Sequence, residues 1–238
     1  MAIQLTQEER LRYERQLMLP QIGEAEQLLL KKQRVLIVGS GGIGSPLVYY
    51  LAASGVGALR IVDGDVVSLS NLQRQILFQT ADIGKPKAEV AALRAQAINP
   101  NCRAEGMVTR FTERNAIELI SDCSIIVDAT DNLSSRYLLD RVAQQANIPY
   151  LYGAIEGYLF QVALFTYREG QASYRELFPE YDADKEQLPV AVFGPAVGVL
   201  GSLMAAQVIK TMLHIGDTLE NKLLQCDVRS LQCNLISL

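Results

Sequence analysis

Cysteine is scarce in this 238-residue chain, and the four present, Cys102, Cys123, Cys226 and Cys233, are scattered. They form no C-x-x-C pair of the metal-ligating kind and no visible disulfide framework, so each reads as a small core residue. Excess positive charge is also missing, the formal net charge being -4. A general nucleic-acid binder needs a surplus of Lys and Arg on one face, so that class is excluded, whereas a local basic pocket for a nucleotide is not. The opening residues lack a basic stretch followed by an apolar core, so no secretory signal is read there and a cytoplasmic protein is expected. There is no internal repeat and no low-complexity tract. One segment, residues 190–207, carries no charged side chain. It contains Gly194, Pro195, Gly198, Gly201 and Ser202 and falls at or below the ~20 apolar residues a bilayer requires. A buried helix is the reading, with no membrane as partner, and Gly198 and Gly201 leave room for the close approach of another backbone.

What is present is an ordinary globular composition, 49% hydrophobic and 20% charged, enough to bury one sizeable core in a single domain spanning residues 1–238. N-terminal helices are expected over residues 1–32 and a nucleotide-binding core over 33–153. Within that core, Arg34 to Val38 is a β-branched run ending in glycines, Ile43 to Ser54 a helix pattern, and Ala58 to Asp63 a second buried strand. Strand, glycine turn, helix and strand in that order open a parallel sheet. The alternation continues with helices near 87–97, 113–120 and 133–146 and strands near 103–108, 124–128, 149–153 and 160–166. Residues 168–192 read as a long, mobile crossover loop, and residues 195–238 as the apolar helix followed by a closing strand pair, 222–227 and 233–237. The fold class is therefore α/β, a doubly wound, Rossmann-like, mostly parallel sheet with a C-terminal antiparallel extension.

The turn Gly39-Ser40-Gly41-Gly42-Ile43-Gly44 lets the backbone approach a phosphate at a helix N-terminus. Asp63, at the end of the second strand, can accept hydrogen bonds from ribose hydroxyls. These two features alone are compatible with an NAD-dependent oxidoreductase. The residues that follow are not typical of one. Asp63-Gly64-Asp65 leads into Ser70-Asn71-Leu72-Gln73-Arg74-Gln75, and Gly84-Lys85-Pro86-Lys87 opens the next helix. A triphosphate needs two such cations: Arg74 can make bidentate contacts with phosphate oxygens, and Lys87 can act as a compact charge. Solvated surface charges are the plain alternative. Asp131, after the strand ending at Asp128, is the candidate Mg²⁺ ligand, since Mg²⁺ takes one or two carboxylates plus phosphates. Asp131 or Asn132 is equally suited to capping the helix that starts there.

In this order Arg12-Tyr13-Glu14-Arg15-Gln16, the glycine turn with Ser45, the Asp-x-Asp and Ser-Asn-Leu-Gln-Arg-Gln run, Gly84-Lys85-Pro86-Lys87 and Ala129-Thr130-Asp131-Asn132 resemble the ThiF/MoeB/HesA family, related to ubiquitin-activating enzymes. The similarity spans nearly the whole chain. It implies an adenylyltransferase that uses ATP and Mg²⁺ to activate the C-terminal Gly-Gly carboxylate of a small ubiquitin-like sulfur carrier protein, releasing pyrophosphate, in a homodimer with two ATP sites. It implies ATP contacts at Gly39, Gly41, Gly42, Gly44, Asp63, Asp65, Asn71, Arg74, Lys87, Asp131 and Asn132. Asp63 resembles the ribose-binding aspartate, and Asn71, Arg74 and Lys87 the phosphate-gripping residues. Arg15 resembles the arginine that reaches into the partner subunit's site, and Asp131 the metal-associated aspartate. Arg15, Arg74, Lys87 and Asp131 are the expected catalytic set.

Two departures qualify the resemblance. Many relatives hold a structural zinc with two Cys-x-x-Cys pairs. Here Ser173 and Glu176 stand in the place of the first, and the sequence ends at Leu238 before the second, so zinc is not expected. ThiF-like members also carry a loop cysteine that becomes linked to the carrier; by similarity it falls near Leu188-Pro189-Val190-Ala191, where there is none. Adenylation alone is expected, with a separate protein delivering sulfur. A thiamine-type carrier is preferred over the molybdopterin synthase small subunit. The remaining alternatives are the oxidoreductase and a non-catalytic carrier-binding subunit, and the intact Arg15, Arg74, Lys87 and Asp131 set argues against the latter. The lone His214 reads as structural, because an attacking carboxylate is already ionised and needs no general base.

Overall fold

The computed structural model describes residues 4–179 and 190–238. Eight strands form one sheet in the order β3-β2-β1-β4-β5-β6-β7-β8. The strands are β1 (Arg34–Val38), β2 (Ala58–Val62), β3 (Arg103–Met107), β4 (Ile125–Asp128), β5 (Tyr150–Glu156), β6 (Leu159–Phe165), β7 (Lys222–Asp227) and β8 (Gln232–Ser237). β1 to β5 pair in parallel, and β5 to β8 continue as an antiparallel meander. The expected parallel sheet with an antiparallel extension is what forms.

The central strands β1, β2 and β4 are buried on both faces, which explains why they are near-continuous apolar runs rather than alternating ones. In β1, Val35 and Ile37 enter one core with Leu47, Leu51 and Leu200, while Leu36 and Val38 enter a second with Leu119, Leu139 and Tyr150. The first core is roofed by α4 (Gly44–Ala53), α5 (Lys87–Ile98) and α9 (Gly194–Leu213), the second by α6 (Ala116–Ile120) and α7 (Leu133–Ala146). α9 is long and apolar enough to cross a membrane by length and composition, but 56% of its most apolar stretch is buried inside the chain. Its Gly201 passes against the backbone of Ile43, where an added Cβ would lie 2.3 Å from the carbonyl oxygen. That is the close backbone approach expected of Gly201; Gly198 makes none, since a Cβ there would meet no described atom within 4 Å. His214 ends α9 in the left-handed conformation, its N–H donating to Lys210 O, a structural role.

The expected N-terminal helices form as three short ones, α1 (Gln7–Arg12), α2 (Glu14–Leu17) and α3 (Glu24–Leu30); the chain turns at Tyr13 and again between Met18 and Gly23, where Pro20 cannot continue a helix. Two expectations need correction. The stretch read as irregular after residue 168 contains a helical turn, α8 (Tyr174–Leu177), started by a Ser173–Glu176 capping box. The remainder of that expected crossover, residues 180–189, lies outside the described residues. Lastly, Cys226 and Cys233 are joined in a disulfide, and Cys233 is exposed rather than in the core. The hairpin register places them directly opposite each other on β7 and β8, a cross-strand neighbour relation that spacing along the chain does not reveal. Cys102 and Cys123 are buried free thiols.

Candidate nucleotide site

From β1 the chain goes outward to β2 and β3, then crosses back to β4 on the other side of β1. This reversal opens a crevice at the carboxyl ends of the strands, where open α/β sheets bind ligands. The glycine turn fills its floor. Gly39 has φ +94°, and a Cβ there would lie 2.5 Å from Ala129 O at the end of β4. A Cβ on Gly44 would lie 2.4 Å from Gly39 O. These two glycines are therefore fixed by backbone approach, and they set the start of α4 with its free N–H groups toward the crevice. Gly42 is bare for another reason. A Cβ there would strike Val197 of α9 at 2.6 Å, so its missing side chain admits a helix. A Cβ on Gly41 would sit 3.3 Å from Gln75 Nε2.

Asp63 is tied to that turn. Its Oδ2 accepts from both the backbone N–H and the hydroxyl of Ser40, each at 2.8 Å, and its Oδ1 accepts from Asp65 N at 2.9 Å. The carboxylate is thus oriented at the end of β2. Asp65, largely exposed, pairs at 3.3 Å with Lys87 Nζ and at 3.3 Å with Arg110. Lys87 begins α5 and is itself buried. An ion pair with one half-exposed partner is worth about 0–1 kcal/mol, so a phosphate can take the Lys87 ammonium from Asp65 at little cost.

Asn71 closes a 3-10 turn, Leu69–Asn71, its Oδ1 accepting from Ser68 N. Its backbone carbonyl accepts from Arg74 N and Gln75 N, which swings Arg74 over the glycine turn: Arg74 Cγ stands 3.5 Å from where a Gly42 Cβ would be. Among the described residues its guanidinium makes one long bond, 3.4 Å to Ser70 O, which leaves donors for a ligand. On the other side, Asp131 is exposed just past Thr130, whose nitrogen lies 3.2 Å from the Cβ position of Gly39. Asn132 is the helix cap of the pair, its Oδ1 accepting from Ser135 N at 2.9 Å.

The structure thus brings Gly39 to Gly44, Asp63, Asp65, Asn71, Arg74, Lys87, Asp131 and Asn132 around one crevice. Arg15 is elsewhere. Its neighbour Gln16 donates to Ser54 O, beyond the last turn of α4, and ten helical residues separate that end from the glycine turn by about 15 Å. Arg15 is exposed, with no ion pair among the described residues.

Ser40, Gln75 and Arg110 at the crevice, and the buried Asp128 with Arg136 behind it, carry no assigned role in the sequence reading. Gln75 is buried against Gly41 with its Oε1 unpaired among the described residues, an orphan polar atom at the edge of the cradle. Asp128 is fully buried; burial pushes its pKa up, against the pull of Arg136, Tyr150 and Thr130. Burial and the Asp128 charge hold the Tyr150 hydroxyl well above its usual range, so it remains a donor. The cradle, the Asp63 carboxylate and the flanking cations fit a nucleoside triphosphate, and the exposed Asp131 carboxylate at the crevice fits Mg²⁺. No cluster of three or more metal-ligating side chains occurs among the described residues.

The ThiF family model matches residues 13–238. Among curated proteins, the chain is 43% identical over 229 residues to a sulfur carrier protein adenylyltransferase of Thermus thermophilus, covering 93% of this chain and 84% of that protein. It is 38% identical over 237 residues to the molybdopterin-synthase adenylyltransferase of Haemophilus influenzae, covering 99% and 98%. Among solved structures, the crystal structure of PaaA superposes with a TM-score of 0.85 at 25% identity, covering all of this chain and 76% of that one. With crevice geometry, family match and full-length relatives in agreement, the chain belongs to the ThiF family and is an adenylyltransferase.

Proposed function

We propose that the protein transfers AMP from ATP to the C-terminal Gly-Gly carboxylate of a small ubiquitin-like sulfur carrier protein, with release of pyrophosphate. The observation that carries this reading is the bare glycine turn with Arg74, Lys87 and Asp63 on its β2 side and Asp131 past β4, an anion cradle with no cysteine among its described residues. Attack by an ionised carboxylate on the α-phosphate needs neither nucleophile nor general base from the protein. It needs cations where negative charge accumulates. Arg74 and Lys87 grip the phosphates, Asn71 offers its amide N–H groups, and Asp63 holds the ribose. Asp131 holds Mg²⁺, which supplies neutralisation of the phosphate charge when bound.

Arg15 completes the site of a second copy in a homodimer, which accounts for its exposure far from its own glycine turn. The buried Cys102 and Cys123 thiols are raised by desolvation, Cys102 to about 12, which makes them poor nucleophiles. With the other two cysteines joined to each other, sulfur comes to the adenylate from a separate donor protein. The setting is cytoplasmic. A thiamine-type carrier is the first reading. The molybdopterin synthase small subunit is the second, supported by the match along nearly all of the Haemophilus influenzae enzyme.

Exchange of labelled pyrophosphate into ATP, tested with each type of carrier, checks the reading. Exchange dependent on a Gly-Gly carrier is expected, and absence of exchange with every carrier removes it. Arg74→Ala and Asp131→Ala should each lose exchange by about a hundredfold or more, on the scale of a lost charge-stabilising group, with folding retained. Mixing Arg15→Ala with Asp131→Ala protein should restore part of the activity through hybrid dimers; no recovery contradicts the cross-subunit role of Arg15.

A further inference from the structure

Thr130 is held from several sides by groups that lie outside the crevice. Asp128 Oδ1 accepts from Thr130 N at 2.8 Å and from its hydroxyl at 2.7 Å. Asp128 Oδ2 accepts from Tyr150 OH at 2.6 Å. From the opposite direction Arg136 Nη2 donates to Thr130 O at 3.3 Å, while its guanidinium lies 5.5 Å from the centroid of the Tyr152 ring. One residue beyond Asp131, Asn132 is locked as the cap of α7. Asp131 is thus flanked by two pinned neighbours, with its own side chain exposed.

The arrangement is costly for a mere strand end. A fully buried carboxylate is expensive even when its lone pairs are satisfied, and the buried Nε of Arg136 has no hydrogen-bond partner among the described residues. An apolar residue at 128 would continue the Ile125-Ile126-Val127 run without the cost of burying a carboxylate. The polar groups converge on a single residue, Thr130, whose carbonyl belongs to the peptide that leads into Asp131.

We propose that Asp128, Thr130, Tyr150 and Arg136 form a buried positioning device that fixes the backbone before Asp131 and so sets the direction of its carboxylate toward the metal. This rests on the reading of Asp131 as the metal-holding residue. Thr130 is the transmitting residue: its hydroxyl and N–H both end on Asp128, and its carbonyl on Arg136. None of the four needs to touch the nucleotide.

The test measures Mn²⁺ affinity by electron paramagnetic resonance in the complex with a non-hydrolysable ATP analogue, and separately the affinity for that analogue without metal. Thr130→Val, which removes the hydroxyl and keeps the volume, should weaken Mn²⁺ on the order of tenfold, as outer partners of metal ligands do, and leave the metal-free nucleotide affinity unchanged. Thr130→Ser should restore Mn²⁺ binding to near the parent value. Tyr150→Phe addresses the same device from its far end should the valine variant fail to fold, with a loss in the same direction. Wild-type Mn²⁺ affinity in these variants, or an equal loss of metal-free nucleotide binding, overturns the inference. Asp131→Asn separates the positioning role from the metal assignment beneath it. If it abolishes Mn²⁺ binding while Thr130→Val does not weaken it, only the positioning device is wrong; if Asp131→Asn binds Mn²⁺ normally, the metal assignment fails and the inference with it.

Discussion

At the scale of single residues, the crevice depends on what side chains leave out as much as on what they supply. Gly39 combines a φ of +94° with a backbone oxygen 2.5 Å from any added Cβ, so Gly39→Ala should cost at least about 1–3 kcal/mol from the backbone conformation alone, read from urea unfolding. Loss of less than half a kcal/mol would contradict this placement of the turn. Ser40→Ala removes one of the three donors to Asp63. A net loss of about 1 kcal/mol corresponds to roughly fivefold weaker ATP binding by calorimetry, and unaltered affinity would show that Asp63 is oriented without it. Gly39, Asp63, Arg74, Lys87 and Asp131 were legible because each belongs to a local pattern tied to a strand end or a helix start. Ser40, Gln75 and Arg136 were not, since their partners lie at positions 63, 41 and 130, and only the folded sheet brings those pairs together.

Elements follow the same division. β1, β2, α5 and α7 were readable within a residue or so because a buried parallel strand is an uninterrupted β-branched run and its crossover helix has room for several turns. α8 was not, because four residues are too few to show a period; its Ser-x-x-Glu box is the local signal that marks it. It is held in place by Asp140 of α7, whose Oδ1 accepts from Tyr174 N and Tyr167 OH at 3.0 Å and whose Oδ2 accepts from Arg175 N at 3.4 Å. Tyr174 itself packs on Tyr137, Tyr152 and Phe178 with ring centroids 4.9–5.1 Å apart. Asp140→Ala leaves those donors unmatched and should cost about 1–3 kcal/mol. The backbone amides of Tyr174 and Arg175 should then exchange hydrogen faster than the β1 and β4 amides; unchanged protection at 174 and 175 would argue that the rings alone hold α8. The β7–β8 register, and with it the Cys226–Cys233 bond, lay beyond sequence reading because a shift of one residue re-pairs every side chain of a hairpin.

For the whole molecule, acid should be the destabilising direction at one identifiable joint. Burial of Asp82 alone would raise its pKa, but hydrogen bonds from Arg94, Gln79 N and Lys85 outweigh it and hold the carboxyl below its ordinary range. A carboxyl depressed in the folded state contributes stability above its unfolded pKa, about 3.9, and loses it as pH falls through the lower folded value. The difference in melting temperature between the parent and Asp82→Asn should therefore be largest near neutrality and shrink below about pH 4; a difference independent of pH contradicts it. The chemistry of the crevice is reached more directly through the carrier itself. If the reversal between β1 and β4 builds an acyl-adenylate on a Gly-Gly carboxylate, the intact mass of a carrier protein incubated with enzyme, ATP and Mg²⁺ must show it. The expected result is a species heavier by one AMP less water, absent when the final glycine is deleted or when Arg74→Ala enzyme is used. A carrier whose mass never changes, or an adduct that survives deletion of the terminal glycine, contradicts adenylation at this site.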